Sequence, residues 1–354
     1  MPGRADAGDW LTLEAVPGLG PEALRRLFEA FPDATAIRRA KPAQLAPLVG
    51  DRLAAGIAAA TPAAAGLEWL AAADNHLVTW NDAAYPAQLR VLADAPAWLY
   101  VKGDPDWLAR PMLAIVGSRH ATPQGLRDAR AFAEALSQAG LTIVSGLAQG
   151  VDAAAHEGGL AGLASSVAVV GTGLDRVYPA RNRELAHRLA AGGAIVSEFP
   201  IGTPPRRGHF PRRNRLISGL ALGVLVVEAA LQSGSLITAR LAGEQGRDVF
   251  ALPGSIHSAL SKGCHRLIKQ GAKLVESAND ILEELGRRLP PATPAAAVAE
   301  TDELLDFLAG GPLSPDQLAD RLGLTLETLS VRLLAAEMAG QIARLPGGLY
   351  QRLF

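Results

Sequence analysis

Seven short apolar runs, rich in valine and isoleucine, recur between residues 112 and 275 and constrain the fold more than any other feature. Such continuous runs are typical of parallel strands covered on both faces, because a strand with one wet face alternates apolar and polar residues. Helical segments separate the runs, and a βαβα order builds a doubly wound sheet. We therefore predict an α/β fold with an extended Rossmann-like, doubly wound parallel sheet. Its predicted strands are residues 112–116, 141–144, 167–170, 194–196, 223–227, 248–252 and 272–275.

A helical module is expected before this sheet. Residues 1–72 contain short helices joined by glycine turns, the clearest being Gly18-Leu19-Gly20 directly before Pro21. Proline is favoured at the first position of a helix, so this turn opens a helix. Two short helices joined in this way resemble a helix-hairpin-helix or SAM-like module. Its amides could hold a nucleic-acid phosphate, although such a turn is more often a plain connector. The sheet domain is predicted to span residues 73–286, with strand-like runs in 76–101 adding an edge.

The last part of the chain is predicted to be a linker and a winged helix. Residues 287–299 are rich in proline, and residues 300–354 show three helical periods followed by a glycine-tipped hairpin. From residue 301 onward there are seven acidic and four basic residues. The helix that would enter a DNA groove carries Glu327, Glu337 and one Arg332. Because duplex binding needs several phosphate contacts, we predict that this module packs on the core or on a partner instead.

The charge distribution says more about ligands than the formal net charge of −1. No acidic residue occurs from residue 199 to 227, while five arginines crowd into ten positions of that stretch. They are Arg206, Arg207, Arg212, Arg213 and Arg215. One concentrated basic site on a neutral chain indicates a specific anion pocket. The alternative is a basic loop that is merely solvated. Phe210, which lies among the arginines, argues against it, because such a loop has little use for an aromatic residue.

Several classes of protein are disfavoured by composition. Cys264 is the single cysteine, so neither an intramolecular disulfide nor a cysteine metal site is expected. The longest apolar stretches are about half of the roughly 20 residues that span a bilayer. The first ten residues lack a signal-peptide pattern. We therefore expect a cytoplasmic protein with no membrane segment, no metal and no cofactor.

Small residues follow the predicted strands and suggest where a ligand binds. In an open parallel sheet, ligands bind outside the carboxyl ends of the strands. Loops without Cβ atoms let an anion approach the backbone, and helix N-termini offer free amides. The clearest case is Ser233-Gly234-Ser235, which opens a helix. The other loops are residues 117–119, 145–150, 171–173, 197–200 and 253–254.

Two enzyme interpretations are weaker. Gly171-Thr172-Gly173 with Glu198 suggests a dinucleotide site, but the third small residue is missing and Asp175 would repel a pyrophosphate. Asp152 and His156 lie four residues apart on one helix, yet no G-x-S-x-G elbow and no metal-ligand spacing accompany them. We expect both to support local structure, and we expect that the chain is not an enzyme.

Taken in order, these motifs resemble those of the DNA-processing protein A family, called DprA or Smf, over about residues 75–285. The flanking modules are similar to those of its longer members. The motifs are Gly117-Ser118-Arg119, Ser145-Gly146-Leu147-Ala148, Gly150-Val151-Asp152 to His156, Gly171-Thr172-Gly173 to Tyr178-Pro179 and Asn182, Ser197-Glu198 with Pro200-Ile201-Gly202, Phe210 to Arg215, and Ser233 to Leu236.

The resemblance implies a protein that binds single-stranded DNA, forms a homodimer, and loads the RecA recombinase during natural transformation. It also implies which residues bind the strand: Gly117, Ser118, Arg119, Arg207, Phe210, Arg212, Arg213, Asn214, Arg215, Ser233, Gly234 and Ser235. The family often has lysine at position 207, a mild departure because arginine keeps the charge. Arginines and amides would take phosphates, and Phe210 would stack on a base. We expect Arg119→Ala or Arg213→Ala to abolish most single-strand binding while leaving the fold intact.

The same resemblance places a dimer interface at His265 and Ile268, unless Ile268 simply packs on the sheet.

Two other functions stay open. One is a nucleotide-processing enzyme of the phosphoribohydrolase type on the same fold. That group needs a Pro-Gly-Gly-x-Gly-Thr turn, which Pro253-Gly254-Ser255 does not continue. The other is a partner-binding scaffold without DNA, which the arginine run disfavours.

Overall fold

The computed structural model describes residues 4–286 and 303–353, so the predicted linker at 287–299 lies outside the described residues. Its main feature is a nine-stranded sheet. The strands are β1 (Asn75–Thr79), β2 (Trp98–Gly103), β3 (Met112–Val116), β4 (Thr142–Ser145), β5 (Ser166–Val169), β6 (Ala194–Ser197), β7 (Gly223–Val226), β8 (Asp248–Ala251) and β9 (Lys273–Leu274).

The strand order is β1-β2-β6-β5-β4-β3-β7-β8-β9, and all neighbours from β6 to β9 in this row are parallel. The chain moves outward from β3 in one direction through β6 and in the other through β9. This arrangement confirms the doubly wound sheet, with its switch point between β3 and β7. The expected extra edge is the antiparallel pair β1 and β2.

The predicted strands agree with the observed ones within one or two residues, with one correction. Residues 272–275 were expected to form a buried strand, but β9 has only two residues and both are exposed. β9 lies at the edge of the sheet and pairs with one strand only. The apolar residue of this segment that is buried is Val275, which follows the strand and packs in the core.

Helices cover both faces of the sheet because successive residues of its strands point to opposite sides. Met112, Ala114 and Val116 of β3 join one apolar cluster, and Leu113 and Ile115 join the other. The helices of this domain are α7 (Ala87–Arg90), α8 (Pro123–Gln138), α9 (Val151–Ala161), α10 (Arg183–Gly192), α11 (His209–Leu220), α12 (Ser235–Glu244), α13 (Lys262–Lys269) and α14 (Ala278–Glu284). Two 3-10 helices lie at Pro105–Ala109 and Ala180–Asn182.

The first cluster is built on α11, α12 and α13, and the second on α8, α9 and α14. Cys264 of α13 is fully buried in the first cluster, with its Sγ 3.6 Å from the Val226 carbonyl oxygen.

The N-terminal residues form short helices as expected. Their core includes the sheet residues Leu77 and Tyr100. The helices are α1 (Arg4–Glu14), α2 (Pro21–Ala30), α3 (Ala34–Arg39), α4 (Pro42–Val49), α5 (Asp51–Ala59) and α6 (Ala64–Trp69).

The C-terminal residues confirm the winged helix, with three helices and a hairpin around a cluster of their own. Its elements are α15 (Glu303–Ala309), α16 (Pro315–Leu322), α17 (Leu326–Met338), β10 (Ile342–Arg344) and β11 (Tyr350–Arg352). Arg127 of α8 donates to the Leu353 carbonyl oxygen at 3.5 Å.

Among all the helices of the described residues, none is long and apolar enough to cross a membrane.

The close approach of α8 and α9 depends on Gly158, since a Cβ there would lie 2.1 Å from the Arg130 carbonyl oxygen. We expect Gly158→Ala to lower the free energy of unfolding by about 1–3 kcal/mol in a urea titration. Gly243→Ala is the matched control, because no atom lies within 4 Å of its Cβ position in α12. It should be neutral or stabilise by up to about 1 kcal/mol. Equal effects of the two substitutions would contradict this packing.

Candidate nucleic-acid interface

The loops at the carboxyl ends of the strands meet the first turn of α11. The His209 Nδ1 lies 3.1 Å from the Gly171 carbonyl oxygen, in the loop after β5. A Cβ on Gly171 would lie 3.4 Å from Cδ1 of Phe210, so the ring rests against bare backbone. The loop after β5 and the Phe210 ring are therefore in contact.

A cation and two aromatic rings come together at this edge. The Arg119 guanidinium carbon lies 5.8 Å from the Phe210 ring centroid. The Tyr178 ring centroid lies 5.6 Å from the same point, with the two planes tilted by 38°. Arg119 is exposed and Phe210 is partly exposed. The arrangement offers a positive charge and stacking faces side by side.

Gly117 and Ser118 shape the loop that presents Arg119. A Cβ on Gly117 would lie 2.7 Å from Cγ2 of Val151 and 2.9 Å from the Glu228 carbonyl oxygen. The Ser118 Oγ accepts from the His120 amide at 3.0 Å, and its carbonyl oxygen accepts from the Val151 amide at 3.1 Å. Both residues therefore hold the turn after β3 against the start of α9.

Arg213 does not face solvent at this edge of the sheet. The residue is 4% exposed, and its Nη1 donates to the Gly146 carbonyl oxygen at 2.6 Å and to that of Val169. A Cβ on Gly146 would lie 2.6 Å from this Nη1 atom, so only glycine fits there. Burial lowers the pKa of Arg213 to about 10, and the Asp152 carboxylate opposes that change. The guanidinium remains a cation at neutral pH, enclosed beneath the loop after β4.

Asp152 and His156 support the same loop from below. Burial raises the pKa of Asp152, while the nearby Arg213 lowers it, and its Oδ2 accepts from the Ala148 amide at 3.3 Å. Burial lowers the pKa of His156 to about 3, so the ring is neutral. Its Nε2 accepts from the Leu147 amide at 3.3 Å. These contacts fit the structural role expected of both residues.

Arg215 is also buried, in an ion-pair network with acidic residues of other segments. Its Nη2 lies 2.7 Å from Oε2 of Glu198, and its Nε lies 2.9 Å from Oδ2 of Asp94. Arg212 shares the Glu198 oxygen at 3.1 Å but stays largely exposed, with its guanidinium 5.3 Å from the Phe199 ring centroid.

The arginine run therefore divides into two groups. Arg206, Arg207 and Arg212 are exposed, whereas Arg213 and Arg215 are enclosed by protein partners. Arg206 and Arg207 have no ion-pair partner within the part of the chain that the structure describes. Asn214 is half-buried, and its Oδ1 accepts from Nε of Arg213 at 3.2 Å.

The small-residue loop after β7 opens α12. The hydroxyl oxygens of Ser233 and Ser235 lie 2.7 Å apart, and the Ser233 Oγ accepts from the Ser235 amide at 3.3 Å. Gly234 is exposed at the N-terminal cap, without a side-chain cap. The loop lies at the same sheet edge as the Arg119 loop, because β7 pairs with β3.

The two residues expected at a dimer interface lie on α13. The His265 Nε2 is 2.9 Å from the Gly254 carbonyl oxygen, and Ile268 packs partly against the core cluster below. The dimer stays a prediction.

Two residues of the site were not predicted from the sequence. They are Tyr178, which lies beside Phe210, and Glu198, which forms ion pairs with two arginines. The only sequence signal for either was its position within a quoted motif.

The burial of Arg213 revises the expectation that Arg213→Ala leaves the fold intact. The substitution leaves Asp152 buried without its cation and two carbonyl oxygens without a donor. We expect a loss of about 3–5 kcal/mol in the free energy of unfolding, measured by urea titration. Arg119→Ala is the matched control and should change stability by about 0.5 kcal/mol or less, because Arg119 is exposed. Similar losses for both variants would contradict the assignment.

Comparison with known proteins agrees with this architecture. Residues 76–286 match the family model of DNA recombination-mediator protein A, and residues 288–348 match the DprA winged helix domain. The protein Smf of Escherichia coli is 46% identical over 297 residues, which cover 80% of this chain and 79% of that one. The X-ray structure of DNA processing protein A from Streptococcus pneumoniae has a TM-score of 0.69 at 38% identity and covers 77% of this chain and 95% of that one.

A structure of DNA processing protein A from Helicobacter pylori, which concerns the single-stranded DNA binding mode of that protein, has a TM-score of 0.54 at 32% identity. It covers 59% of this chain and 95% of that one. The match of more than half of the chain to the family model, together with the Smf relative, shows the family. The chain belongs to the DNA recombination-mediator protein A family, also called DprA or Smf.

Proposed function

We propose that this protein binds single-stranded DNA across the carboxyl edge of its sheet and loads the RecA recombinase onto the bound strand. The observation that carries the proposal is the exposed Arg119 beside the Phe210 and Tyr178 rings. Proteins that bind single strands pair cations for the backbone with aromatic faces for unpaired bases, and each stacked base contributes about 1–3 kcal/mol.

Within this site the residues divide by burial. The exposed Arg119, Arg207 and Arg212 contact phosphates, and Phe210 stacks on a base. Arg213, Asn214 and Arg215 hold α11 in place from beneath. Gly117 and Ser118 present Arg119. In the loop of Ser233, Gly234 and Ser235 at the start of α12, the amides of both serines already donate within the protein, so the Gly234 amide is the one offered to a phosphate.

The RecA part rests on membership of a family of recombination mediators. The single-strand part is supported further by the Helicobacter pylori relative, which concerns single-stranded DNA binding. We infer that the protein acts in the cytoplasm, during natural transformation, and by binding rather than catalysis. Nucleotide processing on the same fold is the alternative, and no contact described above favours it.

The winged helix is proposed to face a protein rather than duplex DNA. The outward side of α17 carries Val331, Leu334 and Met338, which are 66%, 59% and 83% exposed. Glu327 and Glu337 are exposed on the same helix. An apolar, acidic surface repels phosphates and suits a protein contact.

We expect Phe210→Ala to weaken binding of an oligothymidylate about 5- to 150-fold in fluorescence anisotropy, because one stacking face is lost. Arg119→Ala should reduce the magnitude of the slope of log affinity against log salt by about 0.7, the value for one phosphate contact. Arg240→Ala is the control, since this exposed arginine is paired with Glu244 at 2.6 Å on α12.

Affinity and salt dependence equal to the unmodified protein in both variants would overturn the site. Release of free base from a nucleoside monophosphate by the same preparation, without oligonucleotide binding, would favour the enzyme alternative.

We further propose that two copies pair through α13. Light scattering should give the mass of a dimer for the unmodified chain and of a monomer for the double variant His265→Ala, Ile268→Ala. Arg266→Ala, at an exposed position of the same helix, should leave the dimer intact. Circular dichroism should show that the double variant is folded, because Ile268 also packs on the core. A folded double variant that remains a dimer would mean that another surface is used.

A further inference from the structure

We propose that the single strand continues from Phe210 over Tyr178 and then along an exposed basic patch formed by Arg181, Arg183 and His187. Tyr178 is then a second stacking residue, and the two arginines are phosphate contacts outside the loops considered so far. This inference rests on the proposed binding of single-stranded DNA and names the route that the strand takes.

Tyr178 has the exposure and the neighbour that a stacking residue needs. It is 47% exposed although its ring lies 5.6 Å from that of Phe210. A tyrosine that served only as packing for Phe210 would bury most of its own ring. Both residues are instead at least partly exposed, with their ring planes tilted by 38°, and every nucleobase offers a π face to such aromatic side chains.

The segment after Tyr178 is held firmly to the proposed site. The 3-10 helix Ala180–Asn182 follows directly and leads into α10. Asn182 is buried, and its Nδ2 donates to the carbonyl oxygens of Leu147 at 2.9 Å and Ala148 at 3.2 Å. These acceptors belong to the loop that Arg213 and His156 support. The basic patch therefore has a defined position relative to Phe210.

The patch presents arginine side chains that form no ion pair with other described residues of the protein. Arg181 and Arg183 are exposed, and neither has an ion-pair partner among the residues described. His187 lies one helical turn after Arg183, on the same side of α10. Arg188 borders the same shallow hollow but is paired with Glu157 at 2.7 Å. Two unpaired guanidinium groups beside a stacking platform match the backbone and base of one strand.

One acidic residue, Glu184, also lines the hollow and opposes phosphate binding. Its presence gives the test a variant that should gain affinity rather than lose it. Because a gain cannot come from misfolding, Glu184→Gln separates a direct electrostatic effect from a structural one.

The experiment measures anisotropy of the full chain with oligothymidylates of about six and about sixteen nucleotides, over a range of salt. For the longer strand, Arg181→Ala with Arg183→Ala should reduce the magnitude of the log–log salt slope by about 1.4, that is, two contacts of about 0.7. The shorter strand should be unaffected. Arg240→Ala, the exposed arginine of α12 that is paired with Glu244, is the matched control and should behave like the unmodified protein.

Three further variants complete the test. Tyr178→Ala should weaken binding of the longer strand about 5- to 150-fold, whereas Tyr178→Phe should bind normally because the ring is kept. Glu184→Gln should bind the longer strand more tightly. These three results together support the route.

The inference is overturned if the unmodified chain binds the longer strand but the double arginine variant keeps its slope and affinity. It is equally overturned if Glu184→Gln gives no gain. Absence of binding of either strand by the unmodified chain would instead overturn the proposed function, and this inference with it.

Discussion

The enclosed guanidinium of Arg213 determines how the rest of the candidate site is arranged. Backbone carbonyl groups at the ends of parallel strands need a partner beyond the sheet, and Arg213 donates to two of them, that of Gly146 just after β4 and that of Val169, the last residue of β5. Asp152 supplies the opposite charge that makes burial of the cation tolerable. Because Phe210 precedes Arg213 by three residues on α11, the same contacts fix the ring over Gly171. The hydrogen bonds of a buried guanidinium thus position a surface aromatic residue.

The N-terminal helices contribute to this edge without supplying the arginines. Glu14 accepts from Nε1 of Trp98 at 3.1 Å and from the Tyr100 hydroxyl at 2.7 Å, which fastens the helices to β2. Burial raises the pKa of this carboxyl group. The Gly18–Gly20 turn then lines a cleft with Glu198 and Arg212. The N-terminal helices pack on the antiparallel edge of the sheet, and their Gly18–Gly20 turn lies near Arg212. Packing therefore fixes the orientation of this module relative to the candidate site.

Most of the fold could be predicted from the sequence, because covered parallel strands and glycine-led turns follow from local patterns. The exception was β9, where apolar residues at an edge looked like a covered strand. The division of the arginines could not be predicted. Arg213 and Arg215 differ from Arg207 only through partners such as Asp94 and Gly146, which are distant in sequence. Tyr178 was overlooked for the same reason, since its proximity to Phe210 arises from the crossing of α11 over the sheet.

The single cysteine has a chemical consequence for how the protein withstands its surroundings. Thiol oxidation requires access and the thiolate form. Cys264 is fully buried, and burial raises its pKa to about 12, so it stays protonated at physiological pH. The 354 residues contain no second thiol with which it could pair. The chain therefore carries no reactive sulfhydryl group, and peroxide or disulfide stress has no cysteine through which to modify its surface.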